Sequence, residues 1–432
     1  MPDAAGEPAL ATQGDDRVTA GSPRHPIRHH ILRFFAACGF AMSILISMSI
    51  HSSALATQHL ITPGDDWQKF SGKLKAGDEI ILMPGKHRSA TLDDLAGTAD
   101  QPITIRGLEG QTPSIIDGQR DGLRLNRPHH VVIKDLTISD CALGGISVSD
   151  GVVVPPASRP DDPETLGPIA ISNVKILRIG LRMDRDAISL IGVDTVKIDR
   201  CQIEGWNSCG IELVGCHDAS IDHCTFKPAE GFTPLCGIAA RAGSERLQIR
   251  DCRFESAGKR VLCMGGNSKI EHFRPRLTAE AKPASRAEAA HIVIDNCFIL
   301  NGQLPLALIN VDDCIVQNCT VVRPRAAVLA VLSEQIDPRI LSGRSITFGS
   351  NLITWEPGEI QKLADVHKTI LDNAIQWQSN LWWSAQSPAD REKLGTLPGK
   401  TNWPQIFDVD PKLDEQFKPA EERAAEFGVR QP

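Results

Sequence analysis

Val196-Lys-Ile-Asp-Arg-Cys-Gln-Ile203, Ala219-Ser-Ile-Asp-His-Cys-Thr-Phe226 and Leu247-Gln-Ile-Arg-Asp-Cys-Arg-Phe254 are three copies of one pattern. Each has alternating apolar residues, two polar residues at a bend, a Cys and a closing apolar residue. The pattern extends both ways: Leu136 and Val174 take the Cys slot in Val131–Ile138 and Ile169–Ile176, Cys297 and Cys319 take it further on, and a weaker copy sits at Ile346–Ile353. Slot-to-slot intervals of 38, 27, 23, 28, 45 and 22 residues define a unit of about 22 residues that accepts insertions. Self-similarity at such a period marks a solenoid.

A second short apolar stretch follows most copies, as in Gly145-Ile-Ser-Val148, Ala187-Ile-Ser-Leu190, Gly210-Ile-Glu-Leu213, Gly237-Ile-Ala-Ala240 and Val261-Leu-Cys-Met264. Every piece has period 2, the periodicity of strands. Short strands joined by Asp, Asn, Gly and Ser bury an apolar face only by stacking on the next turn of chain. The expected fold is all-β: a parallel β-helix of about ten coils between Asp78 and Trp355, in a single domain over residues 57–419 followed by a tail over 420–432. Thr62–Lys75, with Trp67, Phe70 and Leu74 on one face, predicts an amphipathic helix capping the open N-terminal end. Beyond Gly349 the repeat fades.

The formal net charge of −7 excludes the broad basic face of a general nucleic-acid binder. Residues 1–22 are Ala-, Gly- and Asp-rich without periodicity. Arg24, Arg28 and Arg33, the apolar run Phe34–Ile50 and Ala54-Leu-Ala56 follow, in the order of a secretory signal peptide. Cleavage after Ala56 and a secreted or periplasmic monomer, free of the membrane once cleaved, are the expectations. Eleven Cys remain beyond Ala56, an odd number that leaves at least one unpaired. Cys201, Cys224, Cys252, Cys297 and Cys319 share one inward slot and predict a buried ladder. No C-x2-C spacing points to a metal.

Gly77-Asp-Glu-Ile-Ile-Leu-Met-Pro-Gly85 and Gly97-Thr-Ala-Asp-Gln-Pro-Ile-Thr-Ile-Arg106 resemble the opening of secreted right-handed β-helix proteins of the pectate-lyase-like superfamily. The second segment is similar to the alginate lyase and chondroitinase B group. That resemblance implies a right-handed coil and a polysaccharide substrate. Such a fold also hosts hydrolases, epimerases and non-enzymes.

Strand parity places Ser189, Glu212, Ala239 and Cys263 in one outward row, with Arg241 and Gly265 in the next. Glu212 and Arg241 then stand on adjacent coils, close enough to pair. Ile238–Gly266 is similar in layout to the part of those lyases that supplies a basic proton acceptor and, one coil on, an arginine. Arg241 falls where the acceptor stands. The second position falls near Met264, which is not basic, so Lys259, Arg260, His272 or Arg274 would have to reach it. Arg241–Lys282 holds ten Lys and Arg against five acidic residues, a stretch suited to an acidic polysaccharide.

Elimination from a uronate needs a neutralised carboxylate, a base and an acid. The chain has no Tyr, so a tyrosine acid is excluded. Asp186, Ser189, Glu212 and His217 are candidate substrate contacts, and Trp206 a candidate stacking surface for a sugar ring. Paired carboxylates would instead serve a hydrolase, and Asp184 and Asp186 loosely resemble the Asp before a strand in polygalacturonases. Asp184, Asp186 and Glu212 offer oxygen ligands to Ca2+, without a calcium-loop spacing. No other cofactor is implied. Carbohydrate binding without catalysis, or a structural surface role, stays open. Gly151–Gly167 and Asn267–Ala290 are insertions expected to wall the groove.

Overall fold

The computed structural model describes residues 56–108, 114–116, 120–149, 166–334, 337–401 and 405–430, all within the unit Ala54–Pro432. The apolar run Phe34–Ile50, most of the cleavage motif and residues 151–165 of the first insertion lie outside the described residues.

The polar bend before each Cys slot sets the coil. Asp135, Asn173, Arg200, His223, Asp251, Asn296, Asn318 and Ser350 all have φ between 51° and 55°. That single left-handed residue turns the chain sharply, and Asn and Asp tolerate it better than most. Each coil thus runs from a first sheet, through this bend, to a second sheet and then to a third. Ile169–Ser172, Lys175–Leu177 and Ile188–Ile191 are one such set. Adjacent coils pair in parallel, residue on equivalent residue, as Val196, Ala219 and Leu247 show in the first sheet. The three sheets contain 13, 11 and 10 strands. The architecture is a right-handed parallel β-helix.

Alternation fills its interior. Ile188, Ile211, Ile238 and Leu262 stack in register and are fully buried, and burying each such side chain contributes about 1.5–3 kcal/mol. The five slot cysteines are inside, at 0–2% exposure, and all eleven described cysteines are free thiols. After Cys319 the slot changes chemistry. Asn351 and Asn380 fill it, fully buried: Asn351 Oδ1 accepts from Cys319 N–H at 2.9 Å and Asn380 Oδ1 from Asn351 N–H at 3.0 Å. Coiling therefore continues past Gly349, through Ala364–Val366, Ile375–Trp377 and Leu381–Trp383. The apparent fading of the repeat is a switch from apolar to amide side chains in one slot.

At the N-terminus the expected helix over Thr62–Lys75 is a single 3-10 turn, Trp67–Phe70. Asp66 caps it by accepting from Gln68 N–H at 3.1 Å, and Gly72, at φ 65°, ends it. Trp67 still closes the core, with its indole N–H donating to Arg88 O at 2.8 Å. At the other end Phe427 and Ala424 pack on Leu352 and Leu381 of the second sheet, and Val429 N–H donates to Thr320 Oγ1.

The second insertion is anchored at the corner between the third and first sheets. Arg274 Nη1 donates to Gly192 O at 2.9 Å, and the arginine lies across Gly192 and Gly215 of successive coils. A Cβ on Gly192 would stand 1.9 Å from the Arg274 guanidinium carbon, so any other residue there would displace the arginine from this crossing. Phe273, Leu277 and Ile340 form a small separate core beneath the insertion.

Candidate active site

On the third sheet, pairing runs Arg124, Ser147, Ser189, Glu212, Ala239, Cys263, Ala307, Ala330. This is the outward row that strand parity predicts, longer at both ends. Arg124 and Ser147 belong to it by the same alternation that selected Ser189, in Leu123-Arg-Leu125 and Ile146-Ser-Val148. At its polar end the row floors a cleft of about 300 Å³ lined by Asp121, Arg124, Ser147, Arg185, Asp186 and Ser189, among others.

Asp186 stands where the chain bends into its strand. Its Oδ1 accepts from the Cys209 N–H of the next coil at 3.0 Å. Burial, and then the neighbouring Glu212 carboxylate, push its carboxyl up to about 7, outweighing that hydrogen bond. Glu212 in turn accepts from Arg241 Nε at 2.9 Å and Nη2 at 2.8 Å. Burial disfavours the Arg241 charge, but Glu212 outweighs it and holds the guanidinium protonated. The three residues form a chain across three coils: a carboxyl poised near neutrality, a carboxylate and a fixed cation. Asp121 makes a second charged pair in the cleft, accepting from Arg124 Nε at 2.9 Å and from Gly144 N–H at 2.7 Å. Arg185 is exposed on the rim and has no carboxylate partner among the described residues.

The other candidates disperse. Trp206 is fully buried, with its indole N–H donating to Cys236 O at 2.8 Å, so its ring faces the core and not a sugar. His217 belongs to the first sheet, where Nδ1 lies 2.9 Å from Asp194. Arg274 holds the insertion at the corner. His272 is half-buried in the turn Ile270–His272 of that insertion. Lys259 is exposed, and Arg260 pairs with Glu334 at 3.2 Å further along the third sheet.

The basic stretch Arg241–Lys282 does not gather into one patch, because it spans more than a full coil. Arg246 pairs with Asp218 on the first sheet, Arg253 with Glu255 on the second and Arg241 with Glu212 on the third. The exposed Arg246–Asp218 pair is worth about 0–1 kcal/mol. Among the described residues no three His, Cys, Asp or Glu side chains converge as a metal site.

A family model described as a right handed beta helix region matches residues 186–335. No curated protein matches the chain. Several solved structures are similar. A PL6 family polysaccharide lyase from Pseudopedobacter saltans shares 11% identity over 86% of this chain and 99% of its own, with a TM-score of 0.47. Pectate lyase Pel9A shares 9% over 83% and 80%, at 0.45. A GH136 lacto-N-biosidase from Eubacterium ramulus shares 13% over 78% and 63%, at 0.42.

Proposed function

We propose that the cleft lined by Asp186 binds an acidic glycan and cleaves it, with Asp186 as the proton-transferring carboxyl. The observation that carries this is Asp186 itself, a carboxyl lining a cleft with its pKa raised to about 7. A group titrating near the working pH is the one best able both to give and to take a proton. Its state follows from burial and from Glu212, and perturbation by burial and a specific charged neighbour within a cleft makes a group a functional-site candidate.

The row of residues on successive coils, about 4.8 Å apart, suits an extended polymer lying across the strands. Ser147 and Ser189 offer hydroxyls to it. Arg185, with no carboxylate partner among the described residues, is a cation available to a uronate or another acidic group. Arg124 and Arg241 are already engaged, by Asp121 and Glu212.

That engagement favours hydrolysis over elimination. Elimination requires the substrate carboxylate to be neutralised at the reacting sugar, and with Arg124 and Arg241 occupied that task would fall to Arg185 on the rim. Protonation of a leaving glycosidic oxygen needs what Asp186 supplies. Arg241 serves this reading by fixing Glu212, which in turn sets Asp186.

The test is incubation of the purified protein with alginate, chondroitin and dermatan sulfates, pectin and neutral glycans. New reducing ends without new ultraviolet absorbance are expected, and Asp186→Asn should abolish them. Absorbance from an unsaturated product would instead assign elimination. Retention on a glycan column without any product would reduce the cleft to a binding site. In this reading the protein acts outside the cytoplasm, and N-terminal sequencing of material from its native host should begin at Thr57.

A further inference from the structure

Three thiols lie on the outer face of the third sheet, apart from the inward ladder. Cys209 and Cys236 are register partners on adjacent coils, and Cys263 follows on the next. With Ala239, Ala307 and Ile309 they form an apolar cluster separate from the main core, at 5%, 4% and 7% exposure. The five slot cysteines look inward and are sealed at 0–2%. The outer three are also buried, but they lie on the outer side of the sheet and keep 4–7% exposure. Contacts with the Cys209 and Cys263 thiols, together with burial, push the Cys236 thiol well up, so Cys236 sits between the other two.

We propose that Cys209 and Cys236 form a disulfide under oxidising conditions and that this bond braces the Glu212–Arg241 pair. Register supports the geometry: equivalent residues on neighbouring parallel strands are about 4.8 Å apart, inside the range of about 4.4–6.8 Å between Cα atoms that a disulfide spans. Cys263 is three positions past the register partner of Cys236, Arg260, which leaves Cys209 as the matched partner. An external low-molecular-weight disulfide is the oxidant. A protein thiolate attacks it to give a mixed disulfide, and the second protein thiol displaces the remaining half. One Sγ–Sγ bond forms, the external S–S bond breaks, and the two thiol protons leave with two released small thiols.

The bond would join Cys209–Val214 to Cys236–Arg241, the two strands that carry Glu212 and Arg241. Cys209 also gives its backbone N–H to Asp186. A covalent link there fixes the spacing between the coils that hold Glu212 and Arg241, and restricts the freedom of the unfolded chain.

The experiment treats the purified full chain with oxidised glutathione, alkylates remaining thiols without unfolding, and maps non-reduced peptides by mass spectrometry. A peptide pair linked through Cys209 and Cys236 is expected. The inward five should be alkylated only after denaturation, and the oxidised chain should melt at a higher temperature than the reduced one. Cys263→Ser should retain the linked pair, while Cys209→Ser and Cys236→Ser should each lose it. The native chain itself provides the decisive reading, so a variant that fails to fold does not obscure it. Cys209 and Cys236 recovered as free thiols or only as glutathione adducts, or linked to other cysteines, would overturn the proposal.

Discussion

One outward row of the third sheet divides into two halves. Arg124, Ser147, Ser189 and Glu212 are polar and partly exposed, whereas Ala239, Cys263, Ala307 and Ala330, at the same register position on later coils, are 0–7% exposed. Backbone geometry is common to both halves, so the contrast comes from side chains alone. Where the row is polar, it floors a cleft with a carboxyl near neutrality. Where it is small and apolar, flanking side chains close over it. A solenoid permits this because each position contacts chiefly its two neighbours, and one coil can change chemistry without changing the fold.

The largest expected effect comes from removing the acid at the polar half. Asp186→Asn should lower glycan cleavage by about 10²–10⁴-fold with the circular dichroism spectrum unchanged. The same variant tests the electrostatics. The folded-state pKa of Asp186 lies above 3.8, at about 7, so the folded chain keeps a proton that the unfolded chain has released between those values. Stability therefore falls as pH rises from about 4 to 7. Above pH 7 Asp186→Asn should be more stable than the native chain, by at most about 4 kcal/mol at 1.36 kcal/mol per pKa unit, as read from denaturant melts at pH 4 and pH 8. Equal stability differences at both pH values would remove Asp186 from its perturbed state.

Introducing a charge in the apolar half should fail in the opposite way. Ala307 is fully buried, so Ala307→Asp should cost about 3–5 kcal/mol through an unpaired buried carboxylate, measured as a lowered urea midpoint. A tolerated Ala307→Asp would show that the two halves are interchangeable and that burial does not separate them.

Smaller effects belong to the pair that joins the halves. Arg241→Ala leaves Glu212 without its partner and should reduce cleavage at least tenfold, about 1.4 kcal/mol, with little change in melting temperature. Arg241→Lys should recover part of this, since a lysine restores charge but not the paired contact of Nε and Nη2. Smallest is Arg185→Ala, which should raise KM for an acidic glycan several-fold and leave kcat and neutral ligands unaffected. A uniform loss on acidic and neutral glycans would make Arg185 a general contact and not the carboxylate reader.

The paired Glu212 and Arg241 were legible because period 2 in Gly210-Ile-Glu-Leu213 and Gly237-Ile-Ala-Ala-Arg241 assigns faces without reference to anything distant. The same rule reaches Arg124 and Ser147. It does not reach Asp121 or Arg185, which stand on bends outside any alternation. Trp206 lies on the bend leading into the Glu212 strand, yet its ring turns into the core: closeness along the chain does not fix which way a side chain on a bend points.

The sequence by itself determined the coil. The Cys slot, the left-handed polar bend before it and the alternation around it are local, and stacking identical units leaves little freedom in how they pair. Which charges meet was decided only by the tertiary structure. A coil carries consecutive residues around three faces, so the basic run Arg241–Lys282 scatters among Asp218, Glu255 and Glu212. Asp186, 26 residues before Glu212, is brought beside it by one turn of the helix, and its pKa is a property of that meeting and of the burial around it.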